Sequence, residues 1–258
     1  MNPQKIARVT GVLFLVTIVA SIPAQFVMYA PVLNNADYIV SAGADTLVRW
    51  GAVLEVITAL ACIGTAVVLF PIVKRQNEAV ALSYVAVRVL EAAIIFAGIV
   101  SLISVVALRQ GFAGAAAADA APLLAVGKSL VAVHDSTFLL GPGILAGLGN
   151  GILLGYLMYT SGLVPRRMTL LGLFGGPLVS ASGIAMLLGL YAPVSLWSVI
   201  ATIPEFFWEL SLGIWLTVKG FDPSALASIS TDPDDGVLAG FEQPAAVPSN
   251  GHGVTSRG

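Results

Sequence analysis

Glu55, Arg88, Glu91, Glu205 and Glu209 each stand inside an apolar run long enough to cross a bilayer, with Asn150 as a neutral companion. His134 and Asp135 stand at the mouth of another such run. Ionisable groups at such depth are costly, turn away from lipid and mark ion or proton pathways. Spacing pairs them: Arg88 and Glu91 are i,i+3 and Glu205 and Glu209 are i,i+4, so each pair shares one helical face. The spans hold four carboxylates and a single arginine. Uncompensated carboxylates in a low-dielectric medium take up a proton, a cation or the cationic group of a ligand. That is the profile of a proton relay or a cation-coupled carrier. Pro204 adds to it by freeing a carbonyl near Ile200, beside Glu205, and broken helices at mid-membrane are where secondary transporters bind. The competing reading makes Arg88 and Glu91 a structural ion pair that also holds Glu209 and fixes packing.

Other chemistries fit the residues less well. His134 with Glu55 and Glu205 would give one metal a histidine and two carboxylates from three helices, but no local spacing supports it, and the metal question stays open. No His-Glu-x-x-His, no Gly-x-x-x-x-Gly-Lys and no second intramembrane histidine for haem occurs, since His252 lies near the C-terminus. No cofactor is expected. Cys62 is the only cysteine, which excludes internal disulfides and cysteine-rich metal sites.

These residues need helices to position them. The chain is 57% hydrophobic and 10% charged with a mean hydropathy of +0.93, against about 25% charged residues in a soluble domain. Such a chain cannot cover a water-facing surface. The net charge of −2 gives no basic excess for nucleic acid. The expected fold is all-α: a polytopic domain over residues 1–221, with six spans at about 9–30, 50–73, 81–107, 134–160, 168–190 and 195–219. The first span follows Lys5 and Arg8 and reads as an uncleaved helix, because Ile22 spoils the small-residue pattern of a cleavage site before Gln25. Pro122 to Val133 is amphipathic and either lies on the surface or extends the fourth helix. Residues 222–258 read as a disordered acidic tail.

Loop charges set orientation. Lys5, Arg8, Lys74, Arg75, Arg166, Arg167, Lys219 and Arg257 fall on one side, and Arg49, Arg109 and Lys128 on the other. Both termini are therefore expected in the cytoplasm. Tyr29, Trp50, Tyr191 and Trp197 read as an outer aromatic belt, and Tyr84, Tyr156, Tyr159 and Trp215 as an inner one. At about 1.5 Å per residue, Arg88, Glu91, Asn150 and Glu209 form a layer just cytoplasmic of the midplane. Glu55, His134 and Asp135 form an outer layer, with Glu205 at its border. Gly143, Gly147, Gly151 and Gly155 make a flat stripe on the fourth span that should meet Gly172, Gly176 and Ser180 of the fifth. Pro142 and Pro177 should bend their helices locally.

Several segments also resemble a known family. Ala7-Arg-Val-Thr-Gly-Val-Leu-Phe-Leu, Arg88-Val-Leu-Glu91 and His134-Asp-Ser-Thr-Phe-Leu-Leu-Gly-Pro-Gly143 carry the resemblance. So do Asn150-Gly-Ile-Leu-Leu-Gly-Tyr-Leu-Met-Tyr159, Ser161-Gly-Leu-Val-Pro-Arg-Arg167 and Ile203-Pro-Glu-Phe-Phe-Trp-Glu-Leu210. Over residues 5–222 the chain resembles a bacterial integral-membrane family known as domain of unknown function 4386. The resemblance implies a multi-pass inner-membrane protein and assigns no activity or catalytic residue. Function is thus expected to be non-enzymatic: a proton- or cation-linked small-molecule carrier, or a membrane-embedded binding or regulatory protein. The alternative is an intramembrane enzyme acting on a lipid-soluble substrate through His134 and the glutamates. The expected partners are the lipid bilayer and a proton, a cation or a small lipophilic ligand. The oligomeric state is left open.

Overall fold

A computed structural model describes residues 1–41, 43–112, 120–193 and 195–230. Among them every regular element is helical. Helix α1 spans Pro3–Pro23 and passes into a π-helical turn, Ala24–Met28, before the short α2, Ala30–Leu33. Helices α3 (Asp45–Val73) and α4 (Glu78–Phe112) form the second and third spans. The fourth begins as α5 (Ala120–Phe138), widens into two π-helical stretches, Leu139–Leu145 and Gly147–Leu154, and ends as α6 (Gly155–Ser161). Helices α7 (Arg166–Leu187) and α8 (Leu196–Val218) complete six segments long and apolar enough to cross a membrane.

The π-helical stretches have a local cause. Pro23 and Pro142 each lack the backbone donor of the i→i−4 ladder, and five glycines between 141 and 151 allow the backbone to widen rather than stop. Pro177 and Pro204 lie within continuous helical segments, α7 and α8, so Glu205 does not sit at a helix break. The 41-residue fourth span shows that Pro122–Val133 extends that helix rather than lying on the surface.

Each span packs against its neighbours in sequence, and α8 closes the ring against α1. The first span begins, and α8 ends, on the same face. There Gln4 Nε2 donates to the Phe221 carbonyl (2.8 Å), and the Phe221 N–H donates to Gln4 Oε1 (3.0 Å). On the opposite face Asp45 accepts from Arg109 through both carboxylate oxygens (2.7 and 2.9 Å) and from the hydroxyl of Tyr38 (2.8 Å). Burial, reinforced by this bond to Asp45, pushes the Tyr38 phenol above its usual range. Large apolar side chains such as Val19, Phe26, Val100, Phe174 and Leu196 point outward, as a hydrocarbon solvent permits.

The small-residue faces meet in part as expected. A Cβ on Gly147 would stand 2.5 Å from Ser180 Oγ, and one on Gly151 2.3 Å from the Gly176 Cα. Gly172 departs from the expectation. It receives the Trp208 ring of α8, 2.6 Å from its ideal Cβ, rather than the fourth span. Beyond Phe221 the expected disorder fails for one segment. Pro223–Ser230 forms a helix, α9, capped by Asp222, whose Oδ1 accepts the N–H groups of Ser224 (2.8 Å) and Ala225 (3.1 Å). Ala225, Leu226 and Ile229 pack it on the apolar core, a period too short to stand out in the sequence. The rest of the expected tail, 231–258 with His252 and Arg257, and the loop residue Asp119 lie outside the described residues.

Candidate functional site

The first cluster forms where α3, α4, the fourth span and α8 converge. Arg88 and Glu91 leave one turn of α4 together, and Arg88 Nη1 donates to Glu91 Oε2 at 2.6 Å with both side chains nearly inaccessible. Arg88 Nε donates to the Cys62 carbonyl of α3 (3.4 Å). Asn150 is the hub opposite. Its Nδ2 donates to Glu209 Oε1 (2.5 Å), its Oδ1 accepts from the Tyr84 hydroxyl (3.3 Å), and its carbonyl accepts from Trp208 Nε1 (2.9 Å). The same carbonyl receives the Gly155 N–H five residues on, the bond of a π-helix. The widened turn thus turns the backbone of Asn150 toward α8.

Glu205 stands apart in its chemistry. It is 4% exposed, yet neither carboxylate oxygen has a hydrogen-bond partner. It is seated by glycines: a Cβ on Gly151 would lie 2.6 Å from Glu205 Oε2, and one on Gly175 2.6 Å from the Glu205 N. Glu205, Glu209, Glu91 and Arg88 share one electrostatic neighbourhood. That places three carboxylates against one guanidinium.

The second cluster lies in the other half of the bundle. The Tyr29 hydroxyl donates to Glu55 Oε2 (3.2 Å), and the Tyr29 ring meets His134 edge-on, with centroids 5.5 Å apart at 83°. His134 is 2% exposed and lies against Gly98 of α4. Its Nδ1 is buried without a hydrogen-bond partner, and Asp135 Oδ1 is 3.5 Å away on a side chain 59% exposed. Tyr29 thus links Glu55 and His134, bonded to one and in ring contact with the other.

The structure therefore redistributes the expected layers. Arg88, Glu91, Asn150 and Glu209 come together, and so do Glu55 and His134. Asp135 turns outward. Glu205 joins the first cluster instead of bordering the second, because it stands one turn from Glu209 on α8 and the glycines of the fourth span and α7 leave room for it there. The metal triad of His134, Glu55 and Glu205 consequently does not form, and among the described residues no group of three or more histidine, cysteine, aspartate or glutamate side chains is placed to hold a metal ion. Tyr29 and Tyr84, expected in the aromatic belts, are fully buried members of the two clusters. Trp208 was missed, although its place three residues after Glu205, on the same helical face, is the signal that points to it. The Gln25 side-chain oxygen is also buried without a partner, and no pattern in the sequence singled it out.

No curated protein and no solved structure matches the chain. The family described as domain of unknown function (DUF4386) matches residues 9–220, nearly the whole six-helix domain, and the chain belongs to that family.

Proposed function

We propose that this protein is a proton-linked carrier of the bacterial cytoplasmic membrane, with Glu205 as the carboxyl that exchanges the proton. One observation carries the reading: both oxygens of the Glu205 carboxylate are buried and unpartnered. An ionised carboxylate in that setting lacks the donors that would stabilise it, whereas a neutral acid costs far less to bury. The neighbours sharpen the point, since Glu91 already takes the Arg88 guanidinium and Glu209 takes Asn150. Losing the proton would favour opening the Gly151–Gly176 contact to admit water, and regaining it would favour closure. Protonation would thereby bias two arrangements of the fourth span against α7, the bistable element that coupling requires.

Loop charge supports an orientation with the termini in the cytoplasm, eight Lys and Arg residues being expected on that side against three on the other. The enzymatic alternative has less support, because His134 keeps company with Glu55 alone among the glutamates. Proteoliposomes loaded with a pH-sensitive dye and energised by a potassium diffusion potential test the proposal. Wild type is expected to pass protons, and Glu205→Gln to reduce the flux at least tenfold. Equal flux in the two proteins overturns it.

A further inference from the structure

The second cluster holds a buried imidazole whose Nδ1 has no hydrogen-bond partner. We propose that Asp135, His134, Glu55 and Tyr29 form a proton-entry site on the membrane face away from the termini. This rests on the proton-linked reading for its destination, Glu205.

Position comes first. The fourth span has 41 residues, about twice the length that a hydrocarbon core of roughly 30 Å requires. Counted from its inner end at Ser161, a core of roughly 30 Å ends about 20 residues on, near position 141, so Asp135 stands about 9 Å beyond the far boundary. Its carboxylate is exposed, while the adjoining imidazole is buried, so the two form a step from surface to interior.

Chemistry comes second. The titratable groups that face His134 are Tyr29 from the first span, Glu55 from α3 and Asp135 from its own helix. The third span presents Gly98 to it. An imidazole can accept at one ring nitrogen and release at the other. A proton taken up by the Asp135 carboxylate passes to Nδ1, giving an imidazolium and restoring the carboxylate. The imidazolium then loses its Nε2 proton towards the Glu55 carboxylate, which becomes a neutral acid and leaves a neutral ring. The Tyr29 hydroxyl, donating to Glu55 Oε2, fixes the orientation of that carboxyl.

From Glu55 to Cys62, which touches Arg88, is about 10 Å along α3. That distance calls for bridging water. Gln25, one turn nearer the membrane centre than Tyr29, has a buried amide oxygen without a partner. Such an oxygen is a natural anchor for the first bridging molecule.

The chain has two histidines, so His252→Gln leaves His134 as a single magnetic-resonance probe in the full-length protein. With ¹⁵N-labelled histidine in lipid nanodiscs, Glu55→Gln is expected to slow exchange of the His134 ring proton with water at least tenfold. Asp135→Asn, a change at an exposed position that leaves the fold intact, is expected to slow exchange of the ring proton with water at least tenfold. A His134 ring whose proton exchange is the same in wild type and both variants overturns the entry site. Glu205→Gln is expected to leave these signals unchanged. An inert His134 alongside Glu205-dependent flux therefore discards only the entry site, and a responsive His134 alongside Glu205-independent flux discards only the Glu205 reading.

Discussion

Gly151→Ala tests whether the contact between the fourth span and α7 is as close as the glycines imply. The new methyl would lie 2.3 Å from the Gly176 Cα and 2.7 Å from its N, both backbone atoms that no rotamer change can move. Reaching ordinary contact, which begins near 3.4 Å, requires the two helices to part by about 1 Å. Overpacking of this kind costs about 1–3 kcal/mol, and a backbone clash belongs at the upper end. Against it stands a gain of about 1 kcal/mol from replacing a helical glycine. The net expectation is a loss of about 2 kcal/mol, which lowers the melting temperature by about 4–8 °C. Gly143→Ala is the control from the same stripe. Its methyl would meet nothing nearer than 3.5 Å, so only the propensity gain remains and stability should hold or rise slightly. Thermal unfolding of both variants in one detergent, followed by circular dichroism, decides the matter. Equal melting temperatures for Gly151→Ala and wild type, or an equal loss in Gly143→Ala, would refute the reasoning.

Trp208→Phe keeps the ring against Gly172 but removes the donor to the Asn150 carbonyl, and should cost about 1–2 kcal/mol in the same assay. Arg88→Leu or Glu91→Leu alone leaves a buried charge unpaired and should cost about 3–5 kcal/mol, whereas the double leucine variant should recover most of that; no recovery would mean that the pair is not coupled. The hydroxyl of Ser224 and the backbone donors of Ala225 and Ser224 hold the Asp222 carboxyl below its usual range. The capping that it gives α9 is therefore complete above the ordinary aspartate range and lost as pH falls below about 4. Amide exchange over 223–230 should accelerate there, and Asp222→Asn should blunt that dependence. Reporter fusions after Glu78 and after Asn35 should report cytoplasmic and external positions respectively; the reverse would overturn the orientation.

Hydropathy alone carried much of the architecture. Six apolar runs too long for any water-exposed surface dictate six helices, because backbone groups in hydrocarbon must be paired within their own segment. Helical periodicity likewise carried the pairings within a helix, Arg88 with Glu91 and Glu205 with Glu209, as well as the glycine stripe. Depth arithmetic went further and brought Asn150 to the level of Glu209 on a different span. It failed for Glu205. Depth along an axis says nothing about rotation about it, and rotation here depends on glycines from two other helices that receive Glu205. The buried tyrosines were misplaced for the same reason, since a tyrosine at the right height joins a belt or a polar core according to the direction it faces. The two π-helical stretches of the fourth span were foreshadowed only by Pro142 and the glycines around it. Which carbonyl a widened turn would free, and that Trp208 would take it, depended on how α8 packs. The sequence by itself determined the solvent, the spans and the presence of costly polar groups within them. The tertiary structure alone decided that Asn150 serves Glu209 and that Glu205, packed against the glycines of the fourth span and α7, is left with no partner, because both outcomes depend on helices far apart in the chain.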